Sequence, residues 1–267
     1  MKGLKAYILF LGDTFADSNY TVMGDTRATV DDPGAPHRLL NTPSYAVLIN
    51  HPTESWILFD TGFSDDWKTL PKHILESVKL VKPETARMDY QLAQLDLKPE
   101  DIRHVIISHM HYDHIGNNKL FANTADFYVP KDEASEVFRM MFASRNPEDY
   151  GYYVREDALL QVKSMTYIDR DEELFPGIDV IMLPGHCACV MGIVLHLESG
   201  TIIFPSDAVN ERRNYAGMLP GNAFDSAAFR ESIRKVKYLE KKYHAQVFFP
   251  HDKAQLDTLR KSPDYYE

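Results

Sequence analysis

The run Ser108-His109-Met110-His111-Tyr112-Asp113-His114 gathers three imidazoles and a carboxylate into one short stretch. It follows Val105-Ile106-Ile107, an apolar run that reads as a buried strand. The polar groups therefore stand where a strand ends and the chain turns. Imidazole and carboxylate are the nitrogen and oxygen donors that suit zinc and other borderline divalent metals. The stretch reads as a metal site rather than a polar loop.

The same placement recurs downstream. Ile178 to Leu183 is a strand followed by Pro184-Gly185-His186. Thr201 to Phe204 runs into Pro205-Ser206-Asp207, and Gln246 to Phe249 runs into Pro250-His251-Asp252. Side chains at strand ends can converge on one edge of a sheet sandwich, and the strands hold them rigidly. The candidate ligands are His109, His111, Asp113, His114, His186, Asp207 and His251. Seven exceed the four of one tetrahedral zinc site and match two metals sharing a bridging carboxylate. His37, His51, His73, His104, His196 and His244 fall on no such position and read as surface or hydrogen-bonded residues.

Around this frame, the chain alternates strands and helices. Its N-terminus, basic and then apolar through Leu11, lacks a small-residue cleavage site and reads as a first strand rather than a secretion signal. Residues 12–42 are rich in Gly, Asp, Asn and Pro and read as a long loop, available as a pocket rim. Ser44–Ile49 and Trp56–Phe59 form a hairpin ending in Asp60-Thr61-Gly62. An aspartic protease would need a second such triplet, so Asp60 reads as a structural residue bonding loop amides. Two helices fall within residues 65–100, the second near Met88–Leu95. Asn117–Phe121 is a short helix, Asp126–Pro130 a strand and Lys131–Phe142 a helix. The aromatic run at 147–153 suits packing, a substrate pocket or an interface. Gly192–Leu197 and Thr201–Phe204 make a second hairpin, and Ser226–Tyr243 is a long amphipathic helix. The simplest organisation is one α/β domain over residues 1–267.

With 267 residues, 44% hydrophobic and 25% charged, the chain can bury a substantial core without staples. A net charge of -10 argues against a nucleic-acid partner, and the basic run at Lys235–Lys242 reads as the solvated face of a helix. No stretch has the apolar length of a membrane helix. The two cysteines, Cys187 and Cys189, are badly spaced for a mutual disulfide, which makes a reducing, cytoplasmic setting the expectation.

Taken together, H-M-H-Y-D-H, the upstream Asp60-Thr61-Gly62, and the downstream His186, Asp207 and His251 resemble the metallo-β-lactamase superfamily. Their order and spacing are similar to its lactonase branch, the N-acyl-homoserine lactonases and pyridoxolactonases. The resemblance implies an αββα sandwich, two central mixed β-sheets flanked by helices, with two divalent metals at one sheet edge: zinc, or iron, manganese or cobalt. By position, His109, His111 and His186 would bind one metal, Asp113, His114 and His251 the other, and Asp207 would bridge them. The implied reaction is hydrolysis of a lactone or other small ester, with Asp113 also moving a proton to the leaving oxygen. A homodimer is compatible with it.

Two positions depart from the branch. The acyl-homoserine lactonases commonly carry a Tyr three residues after the bridging Asp; here that residue is Asn210, with Tyr215 nearby as a substitute. An amide can also donate to a developing oxyanion. Where relatives often read P-G-H-T-x-G-H, this chain has Cys187 and Cys189, which read as buried, inert thiols beside a ligand. Competing readings are a thioesterase of glyoxalase-II type and an iron redox protein of flavodiiron type. Both families usually carry an additional domain after this one, for which the residues beyond His251 leave no room.

Overall fold

The computed structural model describes residues 1–267. Strands β1 (Lys5–Asp17), β2 (Leu39–His51), β3 (Ser55–Phe59), β4 (Val78–Val81), β5 (Ile102–Ile106), β6 (Asp126–Pro130) and β7 (Ser164–Ile168) form one sheet, in the order β4-β1-β2-β3-β5-β6-β7. Strands β8 (Glu172–Phe175), β9 (Ile178–Leu183), β10 (Val190–Leu197), β11 (Gly200–Phe204) and β12 (Gln246–Val247) form the second, in the order β12-β11-β10-β9-β8. Both sheets are mixed, as the parallel β3–β5 and β11–β12 pairs show beside antiparallel hairpins.

Alternation of side chains along each strand explains how the sheets stack. In β1, Ala6 and Ile8 point into an inter-sheet core shared with Ile193, Leu195 and Phe204, while Leu9 and Leu11 face helices outside. In the second sheet, Ile202 and Phe204 face inward and Ile203 faces the helix Ser226–Tyr243. Both faces are covered, which is why the strands read as nearly continuous apolar runs. Each buried Leu, Ile or Val contributes on the order of 1.5–3 kcal/mol. The result is the four-layered αββα sandwich.

The helix Ser226–Tyr243 follows its sequence closely. Asp225 caps it by accepting from the amides of Ala227 and Ala228, and Phe229, Ile233, Val236 and Leu239 form its buried stripe. Lys237, Lys241 and Lys242 lie on the exposed side. Its first turn presses against the Pro184-Gly185-His186 turn: a Cβ on Gly185, at φ +129°, would lie 2.2 Å from the Phe229 nitrogen. Only glycine permits that approach.

Several local expectations need correction. Residues 12–42 are not one loop, because β1 continues to Asp17 and pairs with β2 from Leu39 onward. The Gly, Asp and Pro content there misleads, since the two strands form a ribbon with a register shift between Phe10 and Gly12. The connection shrinks to residues 18–38. Strands β4, β7 and β8 carry weak patterns and have no counterpart in the expectation. Of the strand expected over 246–249, only Gln246–Val247 pairs in the sheet.

Candidate metal centre

The ligand candidates from the two sheets meet at one edge. His109 Nε2 lies 3.0 Å from His111 Nδ1, and His186 Nε2 lies 3.1 Å from the same atom. Nitrogens around a tetrahedral zinc at the usual bond length sit about 3.3 Å apart, so the trio has nearly the required spacing. A second group unites Asp113, His114 and His251, with Asp113 Oδ2 3.9 Å from His114 Nε2 and 3.8 Å from His251 Nε2. Asp207 lies between the groups. Its Oδ1 is 3.3 Å from His114 Nε2 and 3.0 Å from His251 Nε2, while Oδ2 is 3.4 Å from His186 Nε2.

The outer partners of these rings aim their lone pairs inward. His251 Nδ1 donates to the Pro43 carbonyl at 2.8 Å, and His114 Nδ1 donates to Asp60 Oδ2 at 2.8 Å. Ser108 Oγ gives its proton to Asp60 Oδ2 and so accepts from His109 Nδ1 at 3.0 Å. In these three rings Nδ1 carries the proton and Nε2 is left as the donor atom for a cation, whereas His111 turns its Nδ1 toward the other nitrogens. Tautomers are assigned here from the partners of each ring. His114 Nε2 and Asp207 Oδ1 are buried without a conventional hydrogen bond. These inward-facing nitrogens and the unpaired carboxylate oxygen fit divalent cations.

The electrostatics divide the site. Burial drives the imidazoles of His109 and His111 well below their usual pKa, and that of His186 below it, so these rings are neutral. Burial also opposes charge on His114 and His251, but Asp207 and Asp113 outweigh it and raise both. Asp207 resists the same burial because His251, His114 and His186 surround it, which holds its carboxyl well below the ordinary range. A cation bound in the carboxylate-rich half replaces protons, so its affinity rises with pH.

Asp60 does more than the bonding of loop amides expected of it. Its Oδ1 accepts from the Ser108 amide at 2.7 Å, as expected, but its Oδ2 also orients His114. The backbone at Asp60 is left-handed, φ +60°, a costly conformation held by these bonds. Downstream, Thr61 N donates to the His114 carbonyl and Gly116 N to the Gly62 carbonyl. Gly116 sits so close that a Cβ would lie 2.2 Å from Ser64 N. Two further supports escaped the sequence reading. Ser206 Oγ donates to Ser108 Oγ at 2.9 Å, and buried Glu133 accepts from Met110 N and Tyr153 OH. The Tyr153 ring lies 4.5 Å from that of His111. The signal for Asp60 and Ser206 was their place at strand ends beside ligands; Glu133, inside a helix, carried no comparable signal.

The cluster opens into a narrow cleft of about 70 Å³. Asn210 lines it, its backbone carbonyl accepting from the His251 amide. Tyr20, Thr21 and Tyr152 also line it, so both the shortened 18–38 loop and the aromatic 147–153 segment contribute walls. Tyr215 does not. Its hydroxyl donates to Glu240 at 2.6 Å and its ring packs on Phe249, so it is no substitute for the missing phenol. Cys187 and Cys189 are buried and belong to none of the ligand groups. Burial raises both thiols, Cys189 to about 12, which leaves them unreactive.

Residues 39–251 match the family profile described as the metallo-beta-lactamase superfamily. The chain belongs to the metallo-beta-lactamase superfamily. Among similar superfamily members, the N-acyl homoserine lactonase AiiB of Rhizobium rhizogenes is 27% identical over 280 residues, covering 99% of this chain and 100% of the relative. An N-acyl homoserine lactonase of Bacillus cereus is 28% identical, covering 90% of this chain and 93% of its own length. A mutant of B. thuringiensis AiiA, solved with N-decanoyl-L-homoserine at its active site, superposes with a TM-score of 0.82 at 24% identity, covering 98% of each chain. The dizinc quorum-quenching lactonase AidC has a TM-score of 0.64 at 16% identity, covering 98% of this chain and 93% of its own. The protein is a metal-dependent hydrolase of this superfamily.

Proposed function

We propose that the protein opens lactone rings with a pair of divalent metals, zinc in the simplest case. The observation that carries this reading is Asp207, whose two oxygens face separate groups of ligands. His109, His111 and His186 would hold one ion, Asp113, His114 and His251 the other, with Asp207 between them. When bound, such a pair supplies Lewis acidity and lowers the pKa of water to near neutrality. Asn210 lines the cleft beside the cluster and supplies an amide to hydrogen-bond the carbonyl oxygen as charge develops on it. Asp113 is less buried than its neighbours and also lines the cleft, so it can pass a proton to the leaving alkoxide. The water oxygen joins the carbonyl carbon, the ring C–O bond breaks, and the product is a hydroxy acid. The relatives named as N-acyl homoserine lactonases support the choice of a lactone. An acidic chain suits a small-molecule substrate rather than nucleic acid, and no helix is long and apolar enough to cross a membrane. Two buried free thiols fit a cytoplasmic setting.

The test is a hydrolysis panel of lactones, open-chain esters and thioesters, with metal content measured on the same preparation. About two ions per chain and lactone turnover abolished by chelation are expected. Thioester turnover above that of every lactone, or lactone turnover that survives exhaustive metal removal, would overturn the reading.

A further inference from the structure

The three rings of the His109, His111 and His186 group are unequally held. His109 Nδ1 donates to Ser108 Oγ, but His186 Nδ1 is buried without a partner, and no hydrogen bond reaches the outer nitrogen of His111. Packing orients His111 instead. The Tyr153 ring lies 4.5 Å from its own, tilted by 55°, and the Tyr153 hydroxyl donates to Glu133 Oε1 at 2.9 Å. The same oxygen accepts at 3.2 Å from the amide of Met110, the residue between His109 and His111. One carboxylate oxygen thus holds both the backbone before His111 and the ring beside it.

Glu133 lies in the first turn of the helix Lys131–Ala143 and is 0% exposed. Its partners are amides, a phenol and the Cys187 thiol, with no cation among them. Burying a carboxylate in this way is costly, and filling space alone would be met by an apolar side chain. Cys187 and the Cys189 amide belong to the turn that follows His186, so the carboxylate also touches the segment carrying the third ring. We infer that Glu133 is a positioning residue for the ion held by His109, His111 and His186, and that it sets His111 against the other two rings through Met110 and Tyr153. This rests on the two-metal reading and adds to it a support that touches neither ion nor substrate. The role requires an acceptor rather than a charge. Glutamine keeps an oxygen for Met110 N and Tyr153 OH, whereas leucine fills the space and leaves both donors buried and unpaired.

The experiment titrates the metal-free full chain with zinc against a chromophoric chelator. Glu133→Leu is expected to weaken one ion by about 10–100-fold and to leave the other within about twofold. Glu133→Gln is expected to stay within about threefold of the unaltered chain for both ions, and Tyr153→Phe, which keeps the ring and loses its tether, to weaken the same ion by about two- to tenfold. In a His111→Ala background, Glu133→Leu should have no further effect on the ion that remains. A residue that merely supported the fold would weaken both ions together, so equal weakening overturns the inference. A glutamine variant as weak as the leucine variant, or a further loss in the His111→Ala background, overturns it too. Should Glu133→Leu fail to fold, Tyr153→Phe decides: selective weakening supports the inference and unchanged affinity overturns it. If the unaltered chain holds a single ion, the two-metal reading fails instead. Glu133 is then decided on that ion, supported if His111→Ala and Glu133→Leu both weaken it and overturned if either leaves it unchanged.

Discussion

The ligand cluster and the cleft above it are neighbours built on opposite plans. The cluster stands on strand ends and their first turns, and most of its rings have a hydrogen-bonded outer partner. The cleft is walled partly by the ends of β1, β2 and β4 and partly by the 18–38 connection, the 147–153 segment and the 210–222 turns, which are joined mainly by backbone bonds between loops. The floor therefore admits little change, whereas the walls can vary while the reaction type persists. The floor sets what bond is broken, and the walls set whose.

The largest effect should come from the floor. In His111→Ala, lactone turnover falls at least about 1,000-fold and metal content drops below two ions per chain. Near-normal turnover at full metal content would erase the distinction between floor and wall. A smaller effect comes from the outer partner. Asp60→Asn keeps an acceptor for the Ser108 amide but removes the charge facing His114, and should weaken one of the two ions by about 10–100-fold in competition with a chromophoric chelator. Equal weakening of both ions would show the two halves of the cluster to be less separate than their geometry indicates.

Outside both floor and wall, Asp157 is a mostly buried carboxyl that burial raises to about 6. The folded state thus binds this proton more tightly than the unfolded chain, whose carboxyl titrates near 4. Its contribution favours folding at low pH and is lost as pH rises through about 6. Asp157→Asn should raise stability by about 1 kcal/mol above pH 7 and change nothing below pH 4, measured by denaturant unfolding at both values. An identical shift at both values would assign the gain to something other than ionisation. The smallest effect belongs to Tyr215→Phe: with its hydroxyl committed to Glu240, lactone turnover should change less than about twofold. A loss of tenfold or more would return Tyr215 to the cleft.

The same division explains what could be read from the chain. The seven candidate ligands follow apolar runs or lie in one short motif, and such runs have a period that survives without tertiary context. The long helix was legible over Ser226–Tyr243 because its apolar stripe repeats at helical spacing. Tyr215 misled because nearness in sequence to Asn210 says nothing of direction after a turn. Thr14 and Thr42 reach the cleft only because β1 and β2 extend past their apolar centres, through residues that carry loop composition. Pairing between distant segments decides such positions, and no local pattern reports it.

Ser108 gives the cluster one more property. Its carbonyl accepts from the Met191 amide of the opposite sheet at 2.7 Å, and its hydroxyl joins Ser206 to Asp60. The two sheets are thus stitched together beside the ligands, while elsewhere between them apolar contacts dominate. Breathing motions of the sandwich should pivot about this seam. Deuterium would then enter the amides of Ser108 and Met191 only when the whole chain unfolds, and reach those of the 18–38 connection by local opening.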